Sequence, residues 1–428
     1  MGMIRSSKLL VVFAVVFAVA VDGCKAEVTP AKRVRIFDVT KYGAKGDGKP
    51  IYDEDGESIN GLKIVRAWID ACQYTKGPTK VLIPKGTFVV AQVYFSGPCK
   101  SHVTVELQGS IVPDPDITQF PNHELLNFQQ VDGVTLTGPG YIDAKICGPP
   151  RRKGSNRDID FFSLMPLIKF YNATNAVVDG INCANPAAFH VLVVLSRNIT
   201  IKNVKFDADF LAPQSDTSGV YISNSKQVTV SNSFIRTGDN CIIIAPGSNQ
   251  VNITGLTCSA GQGISIGADQ FDSIAKDLDV KNVTVKNCTF KETTFGVSLF
   301  PRPQVHKTRV SNILFEDLLM DKVNHPIVIH QQMPPRHDNK TIQAKVKDVH
   351  IKSINGTTTS RVGVTISCNP KLPCEGIKVT DVHLKYVGKS SLRKVPSEIS
   401  PKCSNPKVLF EGKHDHLSCA SSIVKLGI

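Results

Sequence analysis

Two acidic residues carry the chemistry that this sequence offers most plainly. Asp216 lies in P-Q-S-D-T-S-G and Asp239 in R-T-G-D-N-C, at equivalent places just past the end of an apolar run. Two carboxylates that face one cleft are what acid-catalysed cleavage of a sugar–sugar bond requires, one to protonate the leaving oxygen and one to activate water. Residues this far apart in the chain come together only if successive segments stack as rungs of a coil. Taken singly, each Asp also suits the capping of a turn.

The stretch around them has the pattern that such stacking needs. Val220 to Ile222, Val228 to Val230, Cys241 to Ile244, Val251 to Thr254 and Ile264 to Ile266 are short β-branched runs, punctuated by Gly, Ser and Asn. Runs of this kind predict many short strands. From Leu167 onward, units such as I-K-F-Y-N-A-T-N-A-V-V-D-G-I and V-Y-I-S-N-S-K-Q-V-T-V-S-N-S-F-I recur, each with an Asn near a bend. A period of roughly twenty to thirty residues with no helix in it predicts an all-β solenoid, a parallel β-helix. Only Gly61 to Tyr74 repeats its apolar residues at helical spacing, and it is expected to cap the N-terminal end, because an open coil end is an unpaired edge. The cysteine-closed tail from Cys403 is expected to protect the other end. Gly43 to Lys49 matches most of a phosphate-binding loop, but Pro50 stands where Ser or Thr is required, so these glycines read as turn residues.

The first 23 residues have a short basic start (Arg5, Lys8), an apolar core and then small residues. That is the pattern of a secretory signal peptide, its boundary open among Ala20, Gly23 and Ala26, and residues 24–428 are expected to form one domain. Export to the extracellular space or cell wall agrees with twelve cysteines, whose spacings (Cys72 and Cys99, Cys241 and Cys258, Cys368 and Cys374, Cys403 and Cys419) suggest local loop closures. The sequons at Asn172, Asn198, Asn252, Asn282, Asn287, Asn339 and Asn355 suit a glycoprotein. The formal net charge of +13 is spread along the chain. Outside a cell it points to an acidic polysaccharide rather than nucleic acid, or simply to the solubility of a long β-protein. No cofactor is implied. His325, His330 and His337 lack an acidic partner at ligand-like spacing, so no metal is expected. A capped solenoid needs neither a membrane nor a second copy of itself.

Six segments then carry a resemblance across almost the whole mature chain. They are Y-G-A-K-G-D-G-K near the start, T-G-P-G-Y-I-D, N-P-A-A-F-H at Asn185 to His190, T-G-D-N-C at Thr237 to Cys241, G-Q-G-I-S-I-G at Gly261 to Gly267, and N-I-L-F-E-D-L-L-M at Asn312 to Met320. In these the sequence resembles the plant polygalacturonases, pectin-degrading glycoside hydrolases built on a right-handed parallel β-helix. The resemblance implies inverting hydrolysis of the α-1,4 bond between galacturonate units. It gives Asp239, by position the first Asp of the family's G-D-D, the role of general acid, and Asp216, the Asp of its N-T-D, a share in activating water. His190 falls in a segment that the family places near the cleft, which implies substrate binding.

The match departs from the family at its chemistry. Asn240 stands where a second water-activating Asp belongs, Gln262 where the His of G-H-G belongs, and Ser298 and Phe300 where an Arg and a Lys would grip a substrate carboxylate. These four are expected to contact substrate in place of the usual groups. An amide accepts a hydrogen bond but cannot take a proton, and losing an acid–base group typically costs on the order of 10²–10⁴ in rate. Three outcomes follow. One is weak or altered hydrolysis of galacturonan by Asp216 and Asp239, with Arg302 or Lys307 covering for the missing cations. A second is hydrolysis of a less charged pectic sugar. The third is a non-catalytic pectin-binding or regulatory protein on the same fold.

Overall fold

The computed structural model describes residues 33–144, 165–208, 217–268, 279–301, 308–331, 344–388, 399–405, 407–414 and 419. Residues 1–23, expected to be a signal peptide, lie outside them, as do Gln214, Ser215, Asp216, Arg302, Lys307 and His337. Contacts divide the chain into Met1–Arg33 and Val34–Ile428, and the coil belongs to the second unit.

Its repeat is seen most simply around Asp239. One turn of the coil consists of the strands Arg197–Lys202, Lys205–Asp207 and Ser218–Ser223. The next consists of Lys226–Ser231, Phe234–Arg236 and Ile242–Ile244, each parallel to its counterpart and in register with it. Asn249–Thr254, Thr257–Ser259 and Ile264–Ile266 continue the stack. Throughout the described residues this gives a parallel sheet of 20 strands and a second of 11. The architecture is the right-handed parallel β-helix that the sequence implied.

Inside the coil, equivalent side chains stack. Val191, Val220, Ile242, Ile264, Val297, Ile327 and Val364 occupy one register position of the second sheet, and Val193, Ile222, Ile244, Ile266, Leu299, Ile329 and Ile366 another. Every one is buried in a single core. Burying such a side chain contributes roughly 1.5–3 kcal/mol at most, so the repeated runs are what hold the rungs together.

Asparagine makes the bends. Asn175, Asn198, Asn203, Asn224, Asn232 and Asn282 have positive φ, the left-handed conformation that Asn tolerates better than other residues with a side chain. Their side chains also link rungs: Asn198 donates to Asn175 at 2.6 Å, Asn282 to Asn249 at 2.7 Å and Asn312 to Asn282 at 2.6 Å. Towards the C-terminus the strands are longer than the short-strand pattern suggested, for example Val280–Lys291 and Arg309–Val323. The ladder turns these corners unbroken because isolated left-handed residues, Asn287 and Asp317 among them, sit within it.

The N-terminal cap is the helix Ile59–Gln73. Trp68 is buried and donates its indole N–H to the Ser96 carbonyl at 3.0 Å, with its ring edge-on to Phe95 at 5.1 Å. Phe95, Phe128 and Phe170 then stack rung upon rung beneath it. All four suggested cysteine pairs are disulfides. Gly43 and Gly48 have positive φ in the turns that lead to the helix.

Candidate active site

Asp239 lies in the short turn between Phe234–Arg236 and Ile242–Ile244. Its N–H donates to the Thr217 carbonyl on one side at 2.9 Å, and its own carbonyl accepts from the Gln262 N–H on the other at 2.8 Å. The turn is thus stitched to the rungs before and after it. Gly261, at φ +61, packs so closely on the Asp239 carbonyl that an added Cβ would stand 2.1 Å from that oxygen, so only glycine lets the two rungs meet here. Beneath the turn, Cys241 is fully buried and bridged to Cys258.

The carboxylate itself is partly exposed and held from two directions. Ser218 donates its hydroxyl to Oδ2 at 3.1 Å, and the Asn240 side chain donates its N–H to Oδ1 at 3.0 Å. Because an amide N–H only donates, Oδ1 is fixed as an acceptor. On the Oδ2 side, by contrast, the hydroxyl of Ser218 can rotate from donor to acceptor. That is the arrangement an acid needs if it is to lose and regain a proton without rebuilding its surroundings. Ser218 was not among the residues singled out from the sequence. Its signal was register alone, since it begins a strand that pairs with Phe189–Val194 on one side and Ile242–Ile244 on the other.

The other residues expected at the site divide into three kinds. Asn240 follows Asp239 in the same turn and is buried, whereas Gln262 lies beside it on the next rung and is exposed. His190, by contrast, is fully buried, stacked flat on Phe206 at 4.9 Å with Nδ1 3.2 Å from the Ser218 carbonyl. It touches the site only through Ser218, as a support for the residue that holds Asp239. Burial pushes its pKa down to about 4, against a smaller opposing pull from the Ser218 carbonyl, so the ring is neutral and its Nδ1–H is the donor to that carbonyl.

Ser298 and Phe300 lie farther along. Ser298 is buried, with its hydroxyl donating to the Ile264 carbonyl at 3.2 Å, whereas Phe300 is partly exposed. Ser298 belongs to a file of outward-facing residues on the second sheet, Leu192, Tyr221, Ile243, Ser265, Ser298 and Val328, one per rung. The first three of these form a small apolar cluster of their own with Ala188, Phe189 and Ala245. Earlier in the same file, Lys169 is ion-paired with Glu124, which also accepts from Asn127 at 2.5 Å. Beyond Ser298, Phe295 and Phe300 contact His325 and His330. The file is therefore a floor of mostly uncharged side chains with Asp239 at its margin.

Known proteins match both the chain and its coil. An exopolygalacturonase of Arabidopsis thaliana is 32% identical over 388 residues, covering 90% of this chain and 88% of that protein. An exopolygalacturonase of Zea mays is 31% identical over 421 residues, covering 97% and 98%. Among solved structures, a hyperthermoactive exopolygalacturonase from Thermotoga maritima superposes with a TM-score of 0.66 at 16% identity, covering 89% of this chain and 92% of that one, which establishes the shared fold. The family model described as glycosyl hydrolases family 28 matches residues 72–405. With its coil, its rung-spanning aspartate turn and these matches in agreement, the chain belongs to glycosyl hydrolases family 28, the polygalacturonase family.

Proposed function

We propose that this chain is an exported hydrolase of pectic polysaccharide, with Asp239 as general acid and Asp216 as the group that activates water, and with inversion at the anomeric carbon. The observation that carries this reading is the setting of Asp239, a partly exposed carboxylate held by Ser218 and Asn240, with the Oδ2 side able to exchange a proton. Pectin enters through the relatives, which are named as polygalacturonases. Inversion calls for the two carboxyls to stand roughly 6.5–9.5 Å apart, leaving room for water between base and sugar. Asn240 and Gln262 contact the sugar and cannot take its protons, so turnover is slow or altered relative to a site that carries Asp and His there. Residues 1–23 direct export and residues 24–428 act as a single-chain enzyme in the cell wall.

A second reading is favoured by one specific feature. Asn240 spends its amide N–H on Asp239 itself, which makes the pair a well-satisfied polar contact that would be equally at home in a pectin-binding protein without turnover. Release of reducing ends from de-esterified and from methyl-esterified pectin, by the full chain and by Asp239→Asn, separates the two. Turnover that vanishes in the variant supports hydrolysis. Binding to either polymer with no turnover by the unaltered chain overturns it in favour of the binding protein.

A further inference from the structure

Two neighbouring rungs beyond Asp239 present rings where a cleft for polyanions would be expected to present cations. Phe295 opens the strand Phe295–Leu299, and Phe300 follows its last residue, five positions on. Even so, their ring centroids are 5.5 Å apart, edge to face. On the next rung His325 pairs in register with Phe295 and stacks on it at 5.5 Å, while His330 lies 6.5 Å from Phe300. The four rings thus form one contiguous cup, and each remains partly exposed.

The chemistry of the cup is selective. A pyranose offers C–H groups on its face, and partly exposed aromatic rings gain contact with that face without stripping water from a charge. Among the described residues no lysine or arginine lies over these rings, so a carboxylate placed there would lose hydration with little return. Burial also lowers the pKa of His325, which keeps that ring uncharged over more of the acidic range. Among the described residues, Ser265, Ser298 and Gln262 on this rung and the one before it are neutral as well.

We propose that Phe295, Phe300, His325 and His330 form a stacking subsite for an uncharged pyranose, either a methyl-esterified uronate or a neutral sugar, adjoining the bond addressed by Asp239. The inference rests on the hydrolase reading for the position of that bond, but it concerns binding and is tested without turnover. Calorimetric titration of the full chain with fully methyl-esterified and with de-esterified galacturonate oligomers of equal length should show the esterified form bound more tightly. Phe300→Ala should weaken it about tenfold, with little change for the de-esterified form. Phe300→Tyr should keep the preference and Phe300→Lys should reverse it, with unchanged melting temperatures showing that the coil is intact. A preference for the de-esterified oligomer in the unaltered chain, equal losses on both oligomers in Phe300→Ala, or binding of neither would overturn the proposal. Absence of turnover with the esterified preference intact would overturn only the hydrolase reading.

Discussion

The two sheets of the coil treat their outward faces in opposite ways. On the larger sheet outward charges repeat: Lys286, Glu316 and Lys352 occupy one position on three successive rungs, with Glu316 between two lysines at 2.8 and 2.9 Å. On the smaller sheet the outward file is mostly buried and does not repeat, running from a paired lysine through an apolar cluster to two serines and then to the aromatic cup. Repetition serves the stack, because like rungs satisfy one another. Departure from repetition marks the face where a ligand, rather than the next rung, decides which side chain fits.

That contrast is broken most directly at Asp239. Asp239→Asn should lower turnover on the order of 10²–10⁴-fold while leaving the melting temperature unchanged, since the amide oxygen can still accept from Asn240 while its N–H donates to a rotated Ser218 hydroxyl. Measured together, the two readouts separate a chemical role from a structural one.

The next effect is one of pH and belongs to His190. Its folded pKa, about 4, lies below the unfolded value near 6.5. As pH falls through that window the unfolded chain takes up the proton first, so stability present above about pH 6.5 is lost progressively down to about pH 4. The full loss amounts to roughly 3 kcal/mol by linkage. Denaturant melts from pH 7 to pH 4 should show this slope, and His190→Phe should flatten it. An unchanged slope in the variant would assign the acid sensitivity elsewhere.

A smaller effect sharpens the comparison within the site. Ser218→Ala removes the hydroxyl that donates to Oδ2, and should lower turnover roughly tenfold, the order of a single hydrogen bond to a charged group. Its pH–rate profile should shift as well, whereas a merely structural serine would alter melting and leave the profile in place. The smallest change is expected on the larger sheet. Glu316→Gln should barely move the melting temperature at low salt and not at all at high salt, as exposed ion pairs do, and should leave turnover alone.

Much of this molecule was legible in one dimension. The β-branched runs that became strands, the Asn positions that became bends, the helical spacing that became the cap and the four cysteine pairs all follow from local rules. Each depends on neighbours a few residues away or on a repeat. Asp239 was legible too, through its T-G-D-N-C segment. Ser218 was not, because its bond to Asp239 crosses between rungs, and the relevant spacing is the length of a coil turn rather than any motif. His190 was expected to touch substrate, and the coil places it in the interior as a support for Ser218. Phe300 was noticed for the residue it replaces, but the rings that join it come from the far end of its own strand and from the next rung. By itself, then, the sequence determined the stack: its period, its core and its N-terminal cap, because these depend on local spacing and on like meeting like. Only the tertiary structure decided which unlike residues meet on the outward face, since register across rungs brings together positions that no local pattern links.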